Sequence, residues 1–80
     1  MTVKQAIVER LLQVCKERGI ATNDLAVRSG ITPSTVYSLL QPVRKDMSVI
    51  TLKKLCDGLD IPLSVFFDAE LFTKLEQEIK

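Results

Sequence analysis

The strongest constraint on the fold of this 80-residue chain is a point where one helix must end and another begin within three residues. Gly30 can adopt the positive φ that closes a helix, and Ile31 after it can fold back as an apolar anchor. Thr32 is a capping residue, and Pro33 suits the first helical position because its missing N–H costs nothing there. Residues 21–41 are therefore predicted to form two short helices joined by a tight turn.

Each of these two helices has an inward and an outward face. Thr22 is expected to cap the first helix, which runs to Arg28 with Leu25 and Ala26 facing inward. The second helix has a buried stripe at i, i+3, i+4 spacing, formed by Val36, Leu39 and Leu40. The residues left toward solvent are Pro33, Ser34, Tyr37, Ser38 and Gln41, so this face carries hydroxyls and an amide rather than Lys and Glu. Such groups can hydrogen-bond base edges in a DNA major groove without a charge to desolvate.

The flanking sequence predicts supporting helices. Helix 1 should run from about Thr2 to Arg18, with an inner stripe of Val3, Ala6, Ile7, Leu11, Val14 and Cys15. After a loop at 42–46, Ser48 is expected to cap a helix that extends to Asp57. The apolar residues expected to bury that helix are Val49, Leu52, Leu55, Cys56 and Leu59. Pro62 then opens a short final turn whose Leu63, Phe66 and Phe67 close the core.

The last thirteen residues, 68–80, are predicted to form one further helix. Asp68 can cap it, and its apolar stripe comprises Leu71, Phe72, Leu75 and Ile79. Two interpretations of this stripe stay open. It either packs on its own chain or forms the seam of a symmetric dimer that spaces two DNA-reading helices by one DNA turn, ~34 Å.

The composition argues against catalysis and against a membrane. With two cysteines and no histidine, the chain lacks the usual zinc arrangements and the commonest general base, and its carboxylates are scattered. We therefore expect no enzyme activity, cofactor, metal or small-molecule ligand, and buried, reduced thiols at Cys15 and Cys56. No apolar run approaches the ~20 residues needed to span a bilayer. Without a secretory or lipidation signal, a cytoplasmic location is expected.

The net charge of +1 hides an asymmetry along the chain. Residues 1–55 hold nine Lys or Arg against four acids, which gives +5, whereas residues 56–80 hold two against six, which gives −4. A basic half suits a surface that meets phosphates, although a charge imbalance of this size is also ordinary surface chemistry.

In order and spacing, residues 4–67 resemble the XRE-type helix-turn-helix family, which includes the phage repressor and Cro proteins. The matching residues are Gly19-Ile20, Leu25-Ala26, Gly30-Ile31-Thr32, Val36, Leu39, Leu52, Leu55, Leu59, Ile61, Leu63 and Phe66-Phe67. The resemblance implies an all-α, five-helix lambda-repressor-like DNA-binding domain in residues 1–67, with an additional C-terminal helix in 68–80. It also implies double-stranded DNA as partner and, because family members bind palindromic sites as dimers, favours a homodimer.

The resemblance also implies which residues contact DNA. Phosphate contacts fall on Thr22 and the N–H groups near Asn23, and on Gln41 with the Arg44-Lys45 loop. Base-reading positions fall on Pro33, Ser34, Tyr37 and Ser38 of the recognition helix. Thr32 lies at the start of this helix, and Thr35 adds a methyl contact. This chain departs from the family in having Pro42 after that helix, which biases Gln41 away from helical angles. Cys15 and Leu40 replace a buried Arg–Glu pair and are expected to touch.

The function implied is sequence-specific DNA binding by a transcriptional regulator, a repressor that occupies operator DNA as a dimer. None of the base-facing side chains can make a strong bidentate contact with a base, so DNA shape is expected to contribute to recognition. The alternative is a protein–protein interaction module, such as an antitoxin or adaptor, that docks through Tyr37, Pro42-Val43 or Leu71-Phe72. The uncharged recognition face and the near-zero total charge favour this alternative, and the basic half opposes it.

Overall fold

The computed structural model describes residues 1–79, and all the regular secondary structure within that range is helical. Five α-helices follow one another: α1 Val3–Arg18, α2 Thr22–Ser29, α3 Pro33–Leu40, α4 Val49–Gly58 and α5 Leu63–Phe66. A single 3-10 turn, Glu70–Phe72, comes after them. The predicted all-α class with five helices is confirmed. Within residues 1–79, no helix is both long enough and apolar enough to cross a membrane.

Local capping rules set both ends of α1. Thr2 and Gln5 form a reciprocal capping box, in which Gln5 N–H donates to Thr2 Oγ1 at 3.2 Å and Thr2 N–H donates to Gln5 Oε1 at 2.8 Å. Gly19 ends the helix in the left-handed conformation, with φ 64°. The Ile20 N–H then donates to Cys15 O at 2.9 Å and turns the chain toward α2. Thr2 is thus the cap of α1 rather than its first helical residue.

One hydrophobic core lies between the helices, and all five contribute to it. Its buried members are Ile7, Leu11, Val14, Cys15, Leu25, Ala26, Val36, Leu39, Leu52, Leu55, Cys56, Leu59, Ile61 and Phe66. Phe66 is completely buried and makes an edge contact with Phe67, with ring centroids 5.2 Å apart. Leu40 packs at the margin of the same cluster that contains Cys15.

Val49 was expected in this core, and that prediction is wrong. Its side chain is 70% exposed, and the neighbouring Ile50 is 68% exposed. Ser48 caps α4 by accepting from Thr51 N–H at 3.0 Å, so Val49 is the first helical residue. The first turn of α4 extends beyond the core, which begins at Leu52 on this helix.

Three cations of α1 donate hydrogen bonds to backbone carbonyls where three other helices end. Lys4 Nζ donates to Gln41 O at 3.2 Å and to Arg44 O, in the loop that follows α3, at 2.8 Å. Arg10 donates to Phe66 O at 2.8 Å and to Val65 O at 3.1 Å. Arg18 Nη1 donates to Leu59 O and, at 3.2 Å, to Asp60 O. The last carbonyls of a helix lack intrahelical partners and carry partial negative charge. Helix α1 therefore closes the C-terminal ends of α3, α5 and α4.

Helices α2 and α4 approach closely where Gly58 faces Ser29. A Cβ atom at Gly58 would lie 2.3 Å from Ser29 Oγ and 3.1 Å from Ser29 N. The Ser29 hydroxyl is buried and has no hydrogen-bond partner among the described residues. The absence of a side chain at position 58 therefore permits this helix crossing.

The predicted C-terminal helix over 68–80 is wrong. After Glu70–Phe72, residues 73–79 are not helical, and the final residue of the predicted helix lies outside the described range. Tertiary contacts hold this segment in a non-helical path. The Phe72 ring packs against Phe67 with centroids 4.9 Å apart, and Glu76 N–H donates to Met1 O at 3.1 Å.

The apolar stripe predicted for that helix is consequently split. Phe72 packs on its own core, Leu71 and Leu75 are half-buried, and Ile79 is 89% exposed. The first interpretation, packing on the same chain, holds for Phe72. Dimerisation through the stripe stays a prediction.

Candidate nucleic-acid interface

The first helix of the predicted motif begins one residue earlier than expected. Ala21, with extended φ and ψ of −75° and 158°, is the cap of α2, and Thr22 is already helical. The prediction that Thr22 caps the helix is therefore wrong, because its hydroxyl lies inside the first turn. Among residues 1–79, no side chain caps the N–H groups at this end. Asn23 is exposed beside them and Thr22 is half-buried.

The turn between α2 and α3 forms as its sequence predicts. Gly30 has φ 68°, and its N–H donates to Val27 O at 3.3 Å. The Ile31 N–H donates to Ala26 O at 3.0 Å, and the Ile31 side chain packs at the edge of the core. These bonds satisfy the last carbonyls of α2 and fix the direction in which α3 leaves.

A cluster of hydroxyls lies at the start of α3. Thr32 caps the helix by accepting from Thr35 N–H at 3.4 Å, and Pro33 takes the first helical position as predicted. The Thr32 hydroxyl lies 2.8 Å from the Thr35 hydroxyl and 3.4 Å from that of Ser34. Because a hydroxyl both donates and accepts, this cluster keeps further hydrogen-bonding capacity toward solvent.

The outward face of α3 contains the side chains predicted for it. Val36 and Leu39 are buried, whereas Leu40 is only half-buried. The exposed residues are Thr32, Pro33, Ser34, Thr35, Tyr37, Ser38 and Gln41. Gln41 leaves the helix with extended φ and ψ of −74° and 139°, as expected for a residue before a proline.

The loop after α3 brings positive charge onto this face. Arg44 Nη1 donates to Ser38 Oγ at 3.3 Å, so the guanidinium lies over the C-terminal half of the recognition helix. Lys45 follows on the same loop and is exposed. The structure thus joins two groups of predicted site residues, the hydroxyl face of α3 and the Arg44-Lys45 pair. Within residues 1–79, Thr22 and Asn23 at the start of α2 make no side-chain hydrogen bond to either group.

Lys4 is a residue that we did not predict at this site. It is only 9% exposed, and its ammonium binds the loop carbonyls of Gln41 and Arg44. Burial, with the nearby charge of Arg44, lowers the pKa of Lys4, and Asp46 opposes that shift. The sequence held a signal, because Lys4 lies three residues before Ile7 on the inner stripe of helix 1.

The thiols lack the features of nucleophiles. Burial raises the pKa of Cys15, and burial with the charge of Asp57 raises that of Cys56 to about 11. Both are therefore protonated at neutral pH, and thiols react as thiolates. Residues 1–79 contain no group of three or more His, Cys, Asp or Glu side chains that could hold a metal.

Together, the Gly30 turn and the exposed hydroxyl face of α3 define a helix-turn-helix fold. A family model for the Cro/C1-type HTH DNA-binding domain matches residues 10–69. The chain is similar to the HTH-type transcriptional regulator SlrR of Bacillus subtilis (strain 168), with 34% identity over 65 residues. The chain belongs to the Cro/C1-type HTH DNA-binding domain family, which confirms the resemblance to XRE-type proteins.

The alignment with SlrR covers 80% of this chain and 43% of that protein. The chain thus spans less than half the length of this relative. No solved structure matches the chain.

Proposed function

We propose that the chain is a sequence-specific, DNA-binding transcriptional regulator that represses by occupying operator DNA as a dimer. The observation that carries this proposal is the exposed, uncharged hydrogen-bonding face of α3, beside which the guanidinium of Arg44 lies at 3.3 Å from Ser38. Membership of a DNA-binding family and similarity to a transcriptional regulator support it. Occupation of a promoter blocks other proteins sterically and needs no catalytic group. The proposed compartment is the cytoplasm.

Base reading is assigned to the face of α3. The hydroxyls of Ser34 and Ser38 and the phenol of Tyr37 can each donate to or accept from base edges. A good bidentate pair contributes ~1–3 kcal/mol of discrimination, and a single hydroxyl cannot form one. We therefore expect modest preferences at individual base pairs, with additional selectivity from DNA shape.

Phosphate binding is assigned to the loop and to the start of α2. Arg44 and Lys45 are exposed cations next to the reading face. At α2, N–H groups that no side chain caps are available to an anion near Thr22 and Asn23. Contacts of this kind position the protein on the duplex without reading sequence.

For the dimer, the proposed seam includes the exposed Ile79 and the half-buried Leu71 and Leu75. Phe72 contributes less than the sequence implies, because its ring is already packed against Phe66 and Phe67. Two-fold pairing would place two copies of α3 one helical turn of DNA apart.

The first experiment is selection of bound sequences from random duplex DNA at low and moderate salt. The expected result is enrichment of a two-fold symmetric site, with affinity that falls steeply as salt rises. Enrichment of a single half-site would contradict the dimer but not DNA binding. An absence of binding at low salt, from protein whose circular dichroism is helical, would reject the proposal.

Two substitutions test the division between base reading and phosphate binding. Ser38→Ala should relax preference at one base pair, whereas Lys45→Ala should weaken binding to all sequences alike and lower the salt slope by about 1. Lys74→Ala, which removes a cation from the acidic part of the chain, is the matched control and should change neither quantity. Equal losses across matched and mismatched sites for both Ser38→Ala and Lys45→Ala would refute the assignment.

A protein-interaction role is the second candidate, and the apolar residues around the loop favour it. Val43 is 83% exposed, and Val49 and Ile50 are exposed with it. In that case Val43→Ser would weaken capture of a protein partner, while Lys45→Ala would have no effect on any duplex. The DNA selection above distinguishes the two roles.

A further inference from the structure

The turn that carries Arg44 and Lys45 has no anchor of its own in the core. Every side chain from Gln41 to Asp46 is exposed, and the nearest partly buried residues are Leu40 before it and Met47 after it. One internal bond closes the turn, from Arg44 N–H to Gln41 O at 3.2 Å. The other bond between the turn and α3 joins two exposed side chains, from Arg44 Nη1 to Ser38 Oγ at 3.3 Å. A turn held only by these two bonds would sample many orientations relative to α3.

Lys4 supplies the missing attachment. Its stem lies on the buried side of α1, and its ammonium donates to Gln41 O at 3.2 Å and to Arg44 O at 2.8 Å. These two carbonyls belong to the first and last residues of the same four-residue turn. A single cation thus holds both ends of the turn to α1, through charge-assisted bonds that are stronger than neutral ones.

We propose that Lys4 is a positioning residue, which fixes the turn so that Arg44 and Lys45 are already directed at DNA phosphates before DNA arrives. This inference rests on the proposed function. Lys4 is only 9% exposed and its ammonium donates to the two turn carbonyls, so it acts through the turn rather than by contacting a phosphate itself. Because the turn is already ordered in the free protein, DNA binding does not incur the entropy cost of ordering it, and this preserves affinity.

The test is a double-mutant cycle on DNA binding. Lys4→Met retains the apolar stem and removes the donors, and it should weaken binding by roughly 10-fold, because ordering two long side chains on binding then costs affinity. In an Arg44→Ala/Lys45→Ala background the same substitution should change binding by less than about 2-fold, because the turn no longer carries cations to position. Equal losses in the two backgrounds, or no loss in the wild-type background, would overturn the inference.

A second measurement does not depend on DNA. Backbone amide relaxation and amide hydrogen exchange in the free protein should show greater mobility at residues 43–46 in Lys4→Met than in wild type, with α2 and α4 unchanged. An unchanged turn would overturn the inference even if the protein binds DNA well. Failure of the wild type to bind any duplex would reject the proposed function, while these spectra still decide the role of Lys4.

Lys4→Gln covers the case in which Lys4→Met does not fold. Its amide can still donate to a carbonyl without a charge, so we expect a smaller loss of DNA affinity in the wild-type background and none in the double-alanine background. Equal losses of affinity in the two backgrounds, or wild-type affinity together with increased mobility of residues 43–46, would overturn the inference. Lys16→Met, at an exposed lysine of the same helix, is the matched control and should leave the turn unchanged.

Discussion

Alanine at position 58 should destabilise the domain, although alanine is the better helix former. The added Cβ would lie 2.3 Å from Ser29 Oγ, 3.1 Å from Ser29 N and 3.2 Å from Arg28 C. The last two atoms are backbone, so α2 must move away from α4. Overpacking of this kind costs about 1–3 kcal/mol, whereas the gain in helix propensity is at most about 1 kcal/mol and smaller at a helix end. We therefore expect a net loss of about 1–2 kcal/mol.

A matched variant separates the side-chain clash from the backbone clash. Ser29→Ala removes a buried hydroxyl that has no hydrogen-bond partner within residues 1–79, so alone it should be neutral or slightly stabilising. Combined with Gly58→Ala it removes the 2.3 Å contact, and the double variant should recover about 1 kcal/mol relative to Gly58→Ala. The assay is urea unfolding followed by circular dichroism, with an unchanged m-value. Wild-type stability of Gly58→Ala, or strictly additive effects, would refute this account.

Two further predictions concern stability. Thr32→Ala should lower the free energy of unfolding by about 1 kcal/mol because the cap of α3 is lost, whereas Thr32→Ser should not; equal losses in urea unfolding would contradict this. The pKa of Cys56 is raised to about 11 from 9.0, chiefly by burial, so its stabilising contribution is complete below pH 9 and declines as the pH rises toward 11. Between pH 8 and pH 11, the free energy of unfolding should fall less steeply for Cys56→Ala than for wild type. Equal slopes of the free energy against pH would show that Cys56 does not contribute.

The sequence predicts best those features that one or two residues determine locally. Gly30 is the residue type best suited to close a helix in the left-handed conformation. Thr32 and Pro33 mark the start of the next helix through local contacts, with no distant partner. The buried stripe of α3 follows from the same helical spacing. The sequence therefore predicts the exposed face of α3 residue by residue.

Predictions that depend on what a helix packs against were less successful. The spacing of Val49 places it on the stripe of α4, yet its side chain is 70% exposed because the first turn of that helix extends beyond the core. In the C-terminal segment the apolar residues have helical spacing, but the Phe72 ring packs against Phe67 and the Glu76 carboxylate pairs with the amino group of Met1. Those contacts replace the helix, because the stability of a short helix in a protein comes mostly from tertiary packing.

Charge counting along the sequence is equally limited by tertiary structure. Of the nine cations in residues 1–55, three of those in α1 donate to carbonyls at or after the ends of other helices, and Lys53 pairs with Asp57. The total of nine therefore overstates the number of cations available to a DNA backbone, because four of them are engaged in these contacts. Arg44 and Lys45 are the cations that the structure joins to the recognition face. The salt dependence of binding should accordingly reflect a few phosphate contacts per chain rather than the total charge, since each contact contributes about 0.9 to the slope.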